Sequence, residues 1–230
     1  MRFAIILFFC AIVSKTPAWA NNSAIFHSQA AQDEFVYTLL YELSNKQDAG
    51  YYLEIGAGEP LYLNNTYAFE KYYAWKGLSI DISENLIYRW QAERDNPLLS
   101  QDATQLDYTS ILCEFPQVID YLSLDVDGYY DLVLEKVLQS GKTFKIITIE
   151  HDAYRYGDVY RTKERDMLSE HGYQLVCPNV SHNGYVFEDW WVKPEFFPSA
   201  FLQALFLQNV DEMDCREVLQ TVKISVANGY

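Results

Sequence analysis

One stretch of twenty residues, Tyr51 to Glu70, constrains this chain more than any other: YYLEIGAGEPLYLNNTYAFE. It reads as an apolar strand that breaks into a glycine turn and then into an Asn/Thr-capped helical run. Leu53 and Ile55 supply the buried strand, while Gly56 and Gly58 let the backbone turn tightly and approach a ligand with no side chain between. Glu54 is the odd member. A carboxylate inside an apolar strand is costly unless a ligand, a cation or the amides of the following turn satisfy it. The pattern fits the first βα turn of a nucleotide-type cofactor site, or in the plainer reading a βα turn of any α/β protein. The third glycine of a dinucleotide fingerprint falls at position 61, where the chain has Leu61 after a stiffening Pro60. That disfavours a pyrophosphate-binding dehydrogenase. Further on, Gly77-Leu78-Ser79-Ile80-Asp81 reads as a second strand ending in an acid suited to the two hydroxyls of a ribose.

These motifs, taken in order, resemble a known family. Glu54-Ile-Gly-Ala-Gly58, Asn65-Thr66-Tyr67 with Phe69-Glu70-Lys71, Trp75-Lys76-Gly77 and Ile80-Asp81 resemble the FkbM family of S-adenosylmethionine-dependent methyltransferases. Upstream, Ser28-Gln29-Ala-Ala-Gln-Asp33 is similar to the family's leading S-Q-x-x-x-D element. Downstream, Tyr121-Leu-Ser-Leu-Asp125-Val-Asp127-Gly128 resembles its fourth-strand motif. The likeness runs from about Ser28 to Lys193. The chain departs from the pattern at Asn64, where a serine is more frequent, and at Asp127, where glutamate is. The resemblance implies an α/β fold: a Rossmann-like, doubly wound, mostly parallel sheet with one antiparallel strand near the C-terminal end and helices on both faces. It also implies S-adenosylmethionine as cofactor. Gly56 and Gly58 would shape the methionine pocket, with Glu54 beside them; Asp81 would hold the ribose, and Asp102-Ala103 would border the adenine. The implied reaction is O-methylation of a hydroxyl on a sugar or other small molecule.

Hydrophobic periodicity independently supports alternating strands and helices. A helix over 32–43 precedes the first strand; helix 65–73, strand 78–81, helix 84–94 and a strand near 98–101 follow. Strand 118–126, helix 130–139 and strand 144–149 continue the alternation, and a helix over 161–170 comes next. Two strands, 173–177 and 185–192, separated by Pro178 to Gly184, must pair antiparallel because so short a link cannot cross over. An amphipathic helix, 199–208, lies in a C-terminal extension from residue 194.

The first twenty residues read as a secretory signal: Met1-Arg2, an apolar run Phe3 to Val13, and the cleavage pattern Ala18-Trp19-Ala20. The apolar run is too short to span a bilayer comfortably. The expectation is therefore an exported chain, periplasmic, secreted or lumenal, with no stable membrane insertion once the signal is cleaved, and a methyltransferase-like domain over 21–193. With 50% hydrophobic residues, 19 Tyr and 13 Phe, the chain can bury one substantial core. The formal net charge of −15 argues against nucleic acid, which requires Lys and Arg clusters. Past the signal, Cys113, Cys177 and Cys215 form no C-x-x-C pair. Cys113 and Cys177 are expected reduced and buried. Sequons occur at Asn21, Asn64 and Asn179.

Ligands in parallel sheets sit beyond the carboxyl ends of the strands. Those ends are acidic here: Glu54, Asp81, Asp102, Asp125 with Asp127, and Glu150-His151-Asp152. Methyl transfer to a hydroxyl needs alignment and a place for the acceptor's proton. His151 is the first choice of base, ahead of His182, Asp125 or Asp127. Asp125, Glu150 and His151 form an alternative hard-ligand set for magnesium, and Asp127 alternatively caps the next helix. Tyr154, Tyr156, Tyr160, Trp190 and Trp191 offer ring faces to a small-molecule or glycan acceptor. A different class of function, a secreted non-catalytic binding protein on a methyltransferase scaffold, fits the same residues together with the signal. Oligomeric state is not legible.

Overall fold

The computed structural model describes residues 25–229. The segment read as a secretory signal and the Asn21 sequon lie outside them. Among the described residues no helix is long and apolar enough to cross a membrane.

The chain opens with α1 (Gln32–Tyr37), which widens into a π-helical turn over Thr38–Leu43 in place of one continuous α-helix. β1 (Tyr51–Ile55) follows, then α2 (Tyr67–Tyr73), β2 (Lys76–Asp81), α3 (Ile87–Glu93) and β3 (Leu98–Ser100). The second half runs through α4 (Tyr108–Ile111), β4 (Val118–Leu124), α5 (Tyr130–Gln139), β5 (Thr143–Glu150), α6 (Ala153–Tyr156) and α7 (Val159–Glu170). It closes with β6 (Gln174–His182), β7 (Tyr185–Val192), α8 (Ser199–Leu207) and α9 (Cys215–Ala227).

The strands form one sheet in the order β3-β2-β1-β4-β5-β7-β6. β7 alone runs against its neighbours. The Rossmann-like, mostly parallel sheet is therefore as expected. Because β1 is flanked by β2 on one side and β4 on the other, the order reverses beside it. A cleft opens at that switch point.

Side chains alternate between the two faces of the sheet, so each strand feeds two cores. Tyr52, Tyr121, Ile146 and Trp190 pack on one face beneath α1, α2, α8 and α9. Leu53, Ile55, Leu122, Ile147 and Trp191 pack on the other, beneath α4, α5 and α7. The C-terminal region thus contributes Phe201, Leu205, Val218 and Val222 to the same core as the strands. α9 was not expected.

One strand boundary and one cysteine were misread. β6 continues through Pro178 to His182, and the link to β7 is only Asn183-Gly184, both with positive φ (52° and 80°), as a two-residue hairpin turn demands. Proline is tolerated because β6 is an edge strand, irregular between Leu175 and Ser181. Cys113 is exposed rather than buried, because it follows α4 on a turn; Cys177 and Cys215 are buried, and all three are free thiols. The sequon asparagines Asn64 and Asn179 are both buried.

Candidate functional site

The glycine turn sits on a polar foundation. Glu54 is 2% exposed and points under the turn rather than into the cleft. Thr66 Oγ1 (2.9 Å) and Ser79 Oγ (2.7 Å) donate to its Oε2. Burial pushes the Glu54 carboxyl up, against the pull of Arg94 and these hydroxyls. Arg94 spreads across the same floor: Nε to Glu70 Oε2 (2.7 Å), Nη1 to the Pro60 carbonyl and Asn64 Oδ1 (3.0 Å each), Nη2 to Tyr52 Oη and Thr66 Oγ1 (2.9 Å each). The Thr66 and Ser79 hydroxyls, not the turn amides, satisfy Glu54, and it does not line the cleft, so its assignment to the cofactor site is corrected to support of the turn.

Gly56 and Gly58 serve different needs. A Cβ on residue 56 would stand 1.4 Å from the Asp125 carbonyl oxygen, so glycine there is dictated by the close approach of β4. Gly58, at φ 58°, has open space where its Cβ would be, and its backbone faces the cleft. Its N–H donates to Asp81 Oδ2 (2.9 Å), while Ser83 N–H donates to Oδ1 (2.8 Å). Asp81 is thereby fixed at the end of β2 with one lone pair free on each oxygen.

The cleft has a volume of about 820 Å³ and brings together Gly56, Gly58, Asp81, Asp102, Ala103, Asp125 and Asp127. Ile80, Ile82, Leu132 and Val133 line it with apolar surface. Asp102 caps the short turn Ala103–Gln105 by accepting from Thr104 N–H (2.9 Å) and Oγ1 (2.8 Å), which lowers its pKa.

A second pocket of about 560 Å³ adjoins the first through Asp125 and Asp127. Gln29, Glu150, Asp152, Tyr154, His182 and Tyr185 complete its wall. Burial pushes Asp125 up to about 6, opposed by a hydrogen bond with Glu150; burial and then the charge of Asp125 push Glu150 well above the carboxylate range. The charge of each carboxyl disfavours ionisation of the other, so the two titrate as a pair. The rings of Tyr154 and Tyr185 stand 5.0 Å apart beside them.

His151 is not in either pocket. Its ring is fully buried, Ala153 N–H donates to Nδ1 (3.1 Å), and Nε2 stands 3.6 Å from Asp189 Oδ1. Asp189 in turn accepts from Arg165 Nε (2.7 Å) and Nη2 (2.8 Å). The first-choice base is therefore corrected: the ring is turned to β7 and α7, out of reach of either cleft. The same orientation dissolves the proposed magnesium set, since Asp125 and Glu150 line the second pocket without it. Asp127 is largely exposed, at φ 53°, with Arg155 Nη1 3.6 Å away. It does not cap α5, whose N-terminal position is taken by Tyr129 in the left-handed conformation, with no side-chain cap. Trp190 and Trp191 are core residues, 0% and 1% exposed. Asp152 lines the pocket as one of the acidic strand ends, whereas Gln29 and Tyr185 were not read as pocket residues, although Gln29 lies within the leading S-Q element.

Solved structures share this architecture. The O-methyltransferase from Bacillus cereus, in complex with SAH, matches with a TM-score of 0.52 at 16% identity, over 75% of this chain and 84% of that one. The two share a Rossmann-like, mostly parallel sheet with helices on both faces. Two further structures match with lower scores. They are precorrin-6y C5,15-methyltransferase from Geobacter metallireducens (TM-score 0.49, 16% identity, 75% and 92% covered) and magnesium protoporphyrin IX methyltransferase from Synechocystis with bound SAM (0.48, 13%, 71% and 80%). No family model and no curated protein sequence matches the chain.

Proposed function

We propose that the chain is an exported S-adenosylmethionine-dependent O-methyltransferase of the FkbM type, acting on a hydroxyl of a sugar or other small molecule. One observation carries this reading: the switch-point cleft and the acidic pocket meet at Asp125 and Asp127, so a cofactor and an acceptor would have adjoining places.

The residues of the cleft fit the cofactor. Open backbone at Gly58 admits a ligand, the free lone pairs of Asp81 accept the hydroxyls of a ribose, and Asp102 with Ala103 borders a ring. When bound, S-adenosylmethionine supplies an electrophilic methyl group on a cationic sulfur. The carboxylates of Asp81 and Asp125 suit that positive charge. In the second pocket, Tyr154 and Tyr185 present ring faces to a sugar, and the Asp125–Glu150 pair accepts the proton released by the acceptor hydroxyl. General-base catalysis by a positioned carboxylate contributes about 10²–10⁴-fold, and the remainder comes from alignment.

Calorimetric titration of S-adenosylmethionine and S-adenosylhomocysteine into the purified protein, with and without magnesium, tests the proposal. Micromolar binding is expected, weakened about 10- to 100-fold in Asp81→Ala by the loss of charge-assisted hydrogen bonds. No detectable binding by a folded sample overturns the enzyme reading and leaves a binding protein on this scaffold. Export is checked by N-terminal sequencing of the processed chain, for which Asn21 is the expected first residue.

A further inference from the structure

At the edge of the second pocket, one cluster among the described residues combines a thiol, an imidazole and a carboxylate. His182 ends β6, Asp214 caps α9, and Cys215 is the first residue of that helix. Cys215 Sγ lies 3.6 Å from His182 Nδ1 and 3.8 Å from Asp214 Oδ1. One ligand atom from each of the three residues falls within 4.8 Å of the others. Around a tetrahedral zinc ion, with ligand bonds of about 2.0–2.3 Å, neighbouring ligand atoms stand about 3.4–3.6 Å apart. The two distances from Cys215 Sγ are close to that spacing.

Main-chain pairing holds it there. Ser181 bridges Asp214 in parallel, and its N–H donates to the Met213 carbonyl (2.9 Å). His182 and Cys215 each follow a member of that bridge by one residue, so their side chains are brought side by side by backbone geometry. Arg216 N–H donates to Asp214 Oδ1 (3.0 Å) and orients the carboxylate, as outer partners commonly orient metal ligands.

We infer that His182, Asp214 and Cys215 bind one zinc ion. A thiolate, a neutral imidazole and a carboxylate form a borderline-soft donor set that suits zinc and excludes the all-oxygen preference of magnesium and calcium. The thiolate and carboxylate also neutralise the charge of the ion. With three protein ligands, a tetrahedral ion keeps one position for water or a ligand oxygen. His182 lines the acidic pocket, so the ion would fasten the wall of that pocket to the start of α9. This site stands independently of the methyl-transfer reading, since its donors and geometry make no use of the cofactor cleft.

Cobalt(II) titrated into the reduced, chelator-treated full chain tests it. The expected result is one cobalt per chain with a thiolate-to-metal charge-transfer band, displaced by one equivalent of zinc. Cys215→Ser should abolish the band, His182→Gln should weaken binding roughly tenfold or more, and Cys113→Ser should leave both unchanged. Absence of the band in folded protein overturns the inference, as does a band that survives unweakened in His182→Gln. The His182 variant alters a part-exposed side chain, so it decides the matter even where Cys215→Ser does not fold.

Discussion

The carbonyl oxygen of Asp125 occupies the space that a Cβ on Gly56 would need, 1.4 Å from its position. The end of β4 and the turn after β1 are thus in contact at the wall of the switch-point cleft. Gly56→Ala must push them apart and should destabilise the protein by about 3–5 kcal/mol, overpacking added to a left-handed backbone. Gly58→Ala meets only the backbone penalty, about 1–2 kcal/mol. Urea unfolding of the two variants checks the order; equal losses would mean that the β4 contact is soft.

Arg94 is a buried cation on the floor beneath the turn, its side chain 0% exposed and that of Glu70 8%. Removing it takes the ion-pair partner from Glu70 and a donor from the Pro60 carbonyl. Arg94→Met should cost about 3–5 kcal/mol, as expected when one partner of a buried pair is lost. Arg94→Lys should recover only part of this, because one ammonium cannot reach acceptors spread across a planar fork. Thermal or urea denaturation measures both.

Glu164 is fully buried, and neither carboxylate oxygen has a hydrogen-bond partner among the described residues. Burial pushes it up to about 9 from an ordinary value of 4.5, with Asp189 adding to the shift. The folded state therefore holds a proton that the unfolded state has released between those values. Its contribution to stability is fully present below about pH 4.5 and is lost as pH rises through about 9. Glu164→Gln should flatten this decline and be more stable than the parent at pH 9. Urea midpoints from pH 5 to pH 9 give the slope; a parallel decline in both proteins would assign it to other groups such as Glu188.

Methyl transfer should require the ionised form of Asp125. Its pKa of about 6 predicts a rate that rises with pH through that value. Asp125→Asn should remove this limb and lower kcat by about 10²–10⁴-fold, with S-adenosylmethionine affinity kept within about tenfold. A pH–rate profile of the variant and a binding titration separate the two effects. A variant that keeps its rate would exclude Asp125 as the base.

The switch-point cleft was legible in the sequence because its parts are local: a strand, two glycines and an acid at the end of the next strand. Gly56, Gly58, Asp81, Asp102 and Ala103 all line it. Glu54 and His151 did not behave as read, because the direction of a buried polar side chain depends on partners distant in sequence. Thr66 and Ser79 take Glu54 beneath the turn, and Asp189, from β7, faces the His151 ring. The cluster at Cys215 was hidden for the same reason, with His182 33 positions away. α9 carried a readable signal in Val218, Leu219 and Val222, which are spaced for one helical face. At β6, Pro178 suggested a loop, since nothing local shows that a strand will lie at an edge.

That edge position has a consequence for how the protein behaves at high concentration. A sheet with open ends invites other chains to add strands, and fibril growth begins there. One end of this sheet is β3, only three residues long. The other is β6, broken by irregular register and Pro178, with Ser181 already paired to the segment before α9. Neither border offers a long, regular row of free amides and carbonyls, so intermolecular strand addition is blocked at both.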